Sequence, residues 1–142
     1  MIKVKIATTD IDKAQCYELR KQVFVREQNV PIELEMDKHD NTAIHFIVYD
    51  RDLPIGAARA RLLNNYTKLE RICILPSHRG CNIGRLLIQK MEAFLLTYGK
   101  TCYRLSSQTQ AINFYEKLGY SIISNRPYLN SGIWHVLMEK NY

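Results

Sequence analysis

Disulfides, metal clusters and membrane spans are all missing from what this sequence can build. Its four cysteines, Cys16, Cys73, Cys81 and Cys102, stand apart with no CxxC pair. Neither a zinc site nor a dithiol redox motif is signalled, and the cysteines read as reduced thiols of a cytoplasmic protein. No apolar run approaches the roughly 20 residues that cross a bilayer. The N-terminus, Met1-Ile2-Lys3-Val4-Lys5-Ile6, alternates like a strand and lacks the apolar stretch of a signal peptide. There is also no internal repeat, no low-complexity tract and no linker. Lys and Arg number 20 against 14 Asp and Glu, a net charge of +6, which favours an anionic partner. The basic residues are scattered and lack the aromatic interleaving of a nucleic-acid surface, so neither nucleic acid nor a membrane is the expected partner.

What is present fits one domain over residues 1–142. That length can bury a sizeable core, and 46% hydrophobic with 24% charged residues is ordinary for a globular chain. Ile2, Val4 and Ile6 mark a first strand. Asp12 and Gln15 fit a capping pattern that opens a helix with Cys16, Leu19, Val23 and Phe24 on one side. Residues 28–42 hold Pro31 and the acids Glu33, Glu35, Asp37 and Asp40, and read as a loop or a short helix plus loop. Ala43–Tyr49 and Ile55–Leu63 are strands, Asn64–Thr67 a hairpin turn and Leu69–Leu75 the next strand. A helix follows with Leu87, Met91, Phe94, Leu95 and Tyr98 on one face and Gly99 as its stop. Then come a strand over Cys102–Ser106, a short helix with Ala111, Phe114, Tyr115 and Leu118, and closing strands over Tyr120–Ser124 and Ile133–Glu139, joined by Asn125–Gly132. Antiparallel hairpins followed by one strand–helix–strand crossover predict an α+β domain with a mixed sheet covered by helices.

The chain is organised around Arg79-Gly80-Cys81-Asn82-Ile83-Gly84. It sits between the strand that ends Ile72-Cys73-Ile74-Leu75-Pro76 and the helix that starts Arg85-Leu86-Leu87. A helix N-terminus entered from a glycine-bearing loop presents unpaired N–H groups at the positive end of the helix dipole, a site for phosphate. Arg79 and Arg85 add charge at its rim.

This stretch resembles the acetyl-CoA pyrophosphate motif of the GNAT N-acetyltransferases, [QR]-x-x-G-x-[GA]. Ala111-Ile112-Asn113-Phe114-Tyr115-Glu116-Lys117-Leu118-Gly119-Tyr120 resembles the same family's A-x-x-F-Y-x-x-x-G-[FY] segment. The two stand in family order about thirty residues apart, and the element order carries the likeness over nearly the whole chain. Phe24 to Pro31, with Ile44-His45-Phe46, is similar to an uncharacterised bacterial subgroup. One residue departs from the pattern: Asn82 stands where the family has glycine, and asparagine tolerates the left-handed backbone better than most residues.

The resemblance implies a GNAT-like α/β/α fold, with a mixed, mostly antiparallel sheet of six to seven strands and about four helices. It implies acetyl-CoA as cosubstrate, an amine as acceptor and direct transfer in a ternary complex, with no metal. The pyrophosphate would lie on Arg79, Gly80, Cys81, Asn82, Ile83, Gly84 and Arg85. The pantetheine arm would lie along Ile72, Cys73 and Ile74, on a strand the family usually bulges away from its neighbour. Asn113 would be a polar cofactor contact, with an exposed helix residue as the plain alternative. Tyr115 would protonate the leaving thiolate; an apolar-stripe aromatic is its alternative. Glu70 would be the general base, acting through a water.

From the residues alone, period two places Glu70 on the face of Ile72 and Ile74, where an apolar slot would raise its proton affinity. The competing reading is an ion pair: a hairpin centred on Asn65-Tyr66 sets Arg61 opposite Glu70. His45 and His135 lie in expected strands and could face the slot or be core histidines, and His78 adjoins the loop. The acids of residues 33–40 could steer a cationic amine or be a solvated loop. A non-catalytic acyl-CoA-binding domain and, from charge alone, a nucleic-acid module are the other function classes. The family likeness leaves the acceptor open and admits a homodimer.

Overall fold

Eight strands make one mixed sheet in the computed structural model, which describes residues 1–142. β1 (Ile2–Ile6), β2 (Ile44–Asp50), β3 (Leu53–Leu62) and β4 (Thr67–Ile74) form an antiparallel meander. β4 then pairs in parallel with β5 (Cys102–Gln108), and β8 (Ile133–Asn141) lies antiparallel on the far edge of β5. β8 also carries β6 (Ser121–Ile122) and β7 (Tyr128–Asn130). The strand count exceeds the expected six to seven because the connection over residues 125–132 itself supplies β7.

The parallel step needs a crossover, and α3 (Ile83–Leu96) provides it. Its stripe Leu87, Ile88, Met91 and Leu95 packs against Phe46, Val48, Leu69, Tyr103 and Leu105. Tyr98, expected on that stripe, lies past the helix end and is exposed. Glu92 takes a buried place instead, accepting from Tyr120 Oη at 2.6 Å, Lys140 Nζ at 2.9 Å and Tyr142 Oη at 2.8 Å. These bonds tie β8 and the chain leaving α4 (Ile112–Glu116) to α3.

The other face is covered by α1 (Asp10–Arg20), whose Cys16 and Leu19 pack on Ile47, Ala57 and Cys73. Its N-cap is Thr9, which accepts from the Asp12 N–H at 3.1 Å. Asp12, the expected cap, is buried and accepts from Tyr49 Oη at 2.7 Å. α1 runs directly into a π-helical turn over Lys21–Glu27, closed by Gln28 N–H on the Val23 carbonyl at 3.1 Å. α2 (Ile32–Glu35) and a 3₁₀ turn (Lys38–Asn41) follow, the latter capped by Asp37. No helix is long and apolar enough to cross a membrane.

A bulge in β4 sets up the site. Ala57 pairs with Cys73 and Arg59 with Glu70, so Ala58 faces both Arg71 and Ile72. Arg71 takes φ +56°, a left-handed conformation that costs a non-glycine residue energy. The extra residue inverts the alternation: Leu69 packs toward α3 before the bulge, and Ile72 and Ile74 do so after it. Glu70 therefore lies on the α1 face, opposite to Ile72 and Ile74, which corrects the period-two expectation. The hairpin is also centred one residue earlier than expected, on Asn64-Asn65, with Leu62 facing Thr67. Arg59, not Arg61, stands opposite Glu70; the slip of two residues keeps both arginines on the same face.

Candidate active site

β4 and β5 pair only over Thr67–Leu69 and Tyr103–Leu105. Beyond Leu69 the strands part. β5 stays on β8 as far as Gln108 opposite His135, while β4 from Glu70 onward pairs with β3 alone. A cavity of about 400 Å³ occupies the fork, with Ile72, Cys73 and Ile74 along one wall and Ser106, Gln108 and Tyr115 along the other. Phe24 and Val30 from the segment after α1, and Ile133 and His135 from β8, also line it.

The β4 wall leads into the loop. Gly80 at φ +80° and Asn82 at φ +63° turn the chain into α3, with Asn82 as its N-cap. The first bond into the helix runs from Leu86 N–H to the Asn82 carbonyl at 3.1 Å, so the N–H groups from Gly80 to Arg85 serve no backbone acceptor. They form a nest at the positive end of a 14-residue helix. Asn82 thus performs the turn for which the motif uses glycine. Asn82→Ala should lower stability by about 1 kcal/mol, because alanine lacks asparagine's tolerance of the left-handed region, whereas Asn82→Gly should leave it essentially unchanged. Thermal melts of the two variants read this directly.

Gly84 is where the two sequence motifs touch. A Cβ there would lie 3.2 Å from Phe114 Cζ, so glycine lets α4 close onto α3. Arg79 does not stand free at the loop rim as expected. It donates to Glu27 at 2.7 and 2.8 Å and to the Ile74 carbonyl at 2.9 Å, clamping the π-helical turn to the end of β4. Arg85 is exposed at the start of α3. His78 turns away from the loop to pair with Asp50 at 2.9 Å.

Beneath the fork lies a buried ionic network. Arg20 and Arg59 are each 1% exposed. Arg59 donates from Nε and Nη2 to Glu70 Oε1 at 3.1 and 3.0 Å, and also reaches Asp37 and Asp40 at 2.8 Å. Arg20 holds Glu35 at 2.9 Å and Asp40 at 2.7 Å. Arg71, turned by the bulge, reaches Glu35 at 3.1 Å and Asp37 at 3.2 Å. Of the acids at 33–40, Glu35, Asp37 and Asp40 are therefore neither a steering patch nor solvated, because arginines consume them, while Glu33 stays exposed on α2. Burial works to raise the Asp37 carboxyl, but the hydrogen bonds and charge of Arg59, with Arg71, outweigh it and hold the group at about 2. The geometry favours the ion-pair alternative for Glu70: Oε1 takes two N–H bonds, and Arg61 and Lys68 stand 3.7 and 3.8 Å from Oε2.

Tyr115 is 9% exposed and lines the cavity. Its ring lies edge-on to Phe114 and Tyr120, with centroids 5.0 and 6.0 Å away. Burial alone pushes its hydroxyl pKa up, so it stays protonated at neutral pH. Asn113 is exposed on α4, outside the cavity lining. His45 is a core residue, donating from Nε2 to the Asp40 carbonyl at 2.9 Å with its ring edge-on to Tyr17. His135 is in the cavity wall. No group of three or more His, Cys, Asp or Glu is placed to hold a metal ion.

The sequence reading missed Arg20, Arg59 and Arg71. A signal for one was available: Arg59 interrupts Gly56-Ala57-Ala58 and Ala60, and a cation flanked by small apolar residues in a strand requires buried partners.

A model of the acetyltransferase (GNAT) domain matches residues 8–142. The chain belongs to the GNAT family. It is 40% identical over 140 residues to the uncharacterized N-acetyltransferase YjcF of Bacillus subtilis, covering 99% of this chain and 100% of that one. Among solved structures, Escherichia coli ElaA shares the GNAT fold at a TM-score of 0.88 and 23% identity, with 99% of this chain and 100% of that chain covered. The PaiA N-acetyltransferase of Thermoplasma acidophilum, solved in complex with coenzyme A, shares it at 0.74 and 16% identity over 100% and 99% of the chains.

Proposed function

We propose that this GNAT protein is an acetyl-CoA-dependent N-acetyltransferase that moves an acetyl group to a primary amine by direct transfer in a ternary complex. The observation that carries the reading is the single cavity that joins the unpaired β4 edge to Tyr115 and reaches Arg79, where the chain enters the left-handed loop before α3. The residues suit coenzyme A. The nest of N–H groups from Gly80 to Arg85 offers donors to a pyrophosphate, with Arg85 as nearby charge. The β4 edge at Ile72, Cys73 and Ile74 offers backbone groups to an amide-bearing arm. Tyr115 is the proposed proton donor to the departing thiolate. Holding thioester and amine in one slot supplies the proximity the reaction needs. The four free thiols suit a reducing cytoplasm.

Thiol release from acetyl-CoA, measured with a panel of polyamines, arylalkylamines, aminoglycosides and short peptides, tests the proposal. CoA should raise the melting temperature in a concentration-dependent way, and at least one amine should give turnover. Stabilisation by CoA with no turnover on any amine would favour a binding domain. The absence of both effects would defeat the reading.

A further inference from the structure

Amine attack needs a base. Glu70 lines the cavity, but Arg59 donates two hydrogen bonds to its Oε1, and Arg61 and Lys68 stand beside Oε2. His135 is placed differently. It stands near the start of β8, opposite Gln108 at the end of β5, and lines the same cavity as Tyr115. Although it is only 8% exposed, its ring is held on two sides. Tyr128 of β7 stacks on it, with centroids 6.2 Å apart and planes 22° apart, and the Tyr128 hydroxyl is itself tied to Ser106 of β5. His135 Nδ1 lies 2.7 Å from the Ile133 carbonyl. A carbonyl only accepts, so Nδ1 carries the hydrogen and Nε2 is left with its lone pair. Nε2 is engaged by no protein group, yet it is not sealed in the core as His45 Nδ1 is. A fixed tautomer with its basic nitrogen open in a reaction cavity is the arrangement general-base catalysis uses.

Resting on the acetyltransferase reading, we propose that His135 is the catalytic base, removing the proton from the acceptor ammonium through Nε2. The ammonium gives a proton to Nε2 and forms imidazolium. The freed nitrogen lone pair attacks the thioester carbonyl carbon, making the C–N bond. The C–S bond breaks with its electron pair on sulfur, and the thiolate takes the Tyr115 hydroxyl proton. The nitrogen's second proton restores Tyr115, and imidazolium releases its own to solvent. Amide, thiol and one proton result, and no oxidant or reductant is needed.

The charge environment agrees. Burial lowers the His135 pKa, against a smaller opposing effect of the Ile133 carbonyl, so the ring is neutral at pH 7. Packed on it are Tyr128 and Gln108, neither charged. Across the cavity, Tyr115 is a protonated phenol, and Lys68, Glu70, Arg71 and Glu35 are held in ion pairs.

The test uses the panel amine with the highest wild-type turnover, saturating acetyl-CoA, and the variants His135→Gln, His135→Ala and Glu70→Gln. Wild-type kcat should fall on the acid side of a pKa below about 6.5, the ordinary histidine value. His135→Gln should lower kcat by about 10²-fold or more and abolish that acid limb, while CoA stabilisation is unchanged. Added imidazole should restore part of the His135→Ala rate. Nitrogen NMR of the wild-type ring should show hydrogen on Nδ1, a readout that needs no amine. Three results would overturn the proposal: kcat within about fivefold of wild type in His135→Gln, an acid limb that vanishes in Glu70→Gln instead, or hydrogen on Nε2 at neutral pH. Loss of CoA stabilisation together with rate in His135→Gln would show a structural role and also overturn it. Absent wild-type turnover would defeat the acetyltransferase reading itself.

Discussion

Replacing Arg59 with alanine should lower the melting temperature by about 6–20 °C, the largest stability loss we expect from one side chain here. Arg59 is 1% exposed and answers three carboxylates, Glu70, Asp37 and Asp40. Removing one partner of a buried ionic cluster strands the remaining charges, which costs about 3–5 kcal/mol. For a domain of this size that corresponds to about 2–4 °C per kcal/mol. Lysine should rescue only part of the loss, because it cannot reproduce the guanidinium fork that donates from Nε and Nη2 to one Glu70 oxygen. A loss of less than about 1 kcal/mol for Arg59→Ala would mean that the acids are neutral or hydrated in the folded protein.

The same network predicts an acid transition. Asp37 is held at about 2 in the folded state, against about 3.9 for an unfolded aspartate. A folded pKa below the unfolded one gives stability that is present above the unfolded value and lost as pH falls through the folded one. Asp40 is lowered as well: burial raises it, and the hydrogen bonds from Arg20 and Arg59 outweigh that. The pair's contribution should therefore hold from neutrality down to about pH 4 and disappear between about 4 and 2. Glu35 runs the other way, raised by burial beyond the pull of Arg71 and Arg20. Arg59→Ala should flatten the transition, which acid melts of both proteins would show.

How much of this was legible in the sequence depended on the range of the interaction. Elements came from local periodicity, and the crossover from order alone. The loop at Gly80 to Gly84 was legible because a helix entered through left-handed residues has few chemical solutions, and Asn82 is one of them. The β4 bulge was not. An extra residue in a strand leaves no local mark when the residue is Arg71, and it reverses which side chains share a face from there on. That reversal moved Glu70 away from Ile72 and Ile74 and into the arginine cluster. The cluster depends on pairings across 11 to 36 positions, beyond any period. His135 could be placed in a strand, but not its tautomer, which a carbonyl two residues away decides.

Tyr115→Phe should produce the other large effect, on rate rather than stability. The ring fills the space between Phe114 and Tyr120, and phenylalanine keeps that packing. Its hydroxyl is the only atom lost, and burial holds that hydroxyl protonated. Melting temperature and CoA stabilisation should therefore stay near wild type, while kcat falls by about 10²–10³-fold, the range of a lost general acid. The cause can be separated from a general disturbance of the slot by changing the leaving group. An acetyl thioester of a more acidic thiol needs less help from a proton donor, so the gap between wild type and Tyr115→Phe should narrow with it. A disturbed slot would slow both thioesters equally. Wild-type kcat in Tyr115→Phe would remove the proton-donor role and leave Tyr115 as a wall of the cavity.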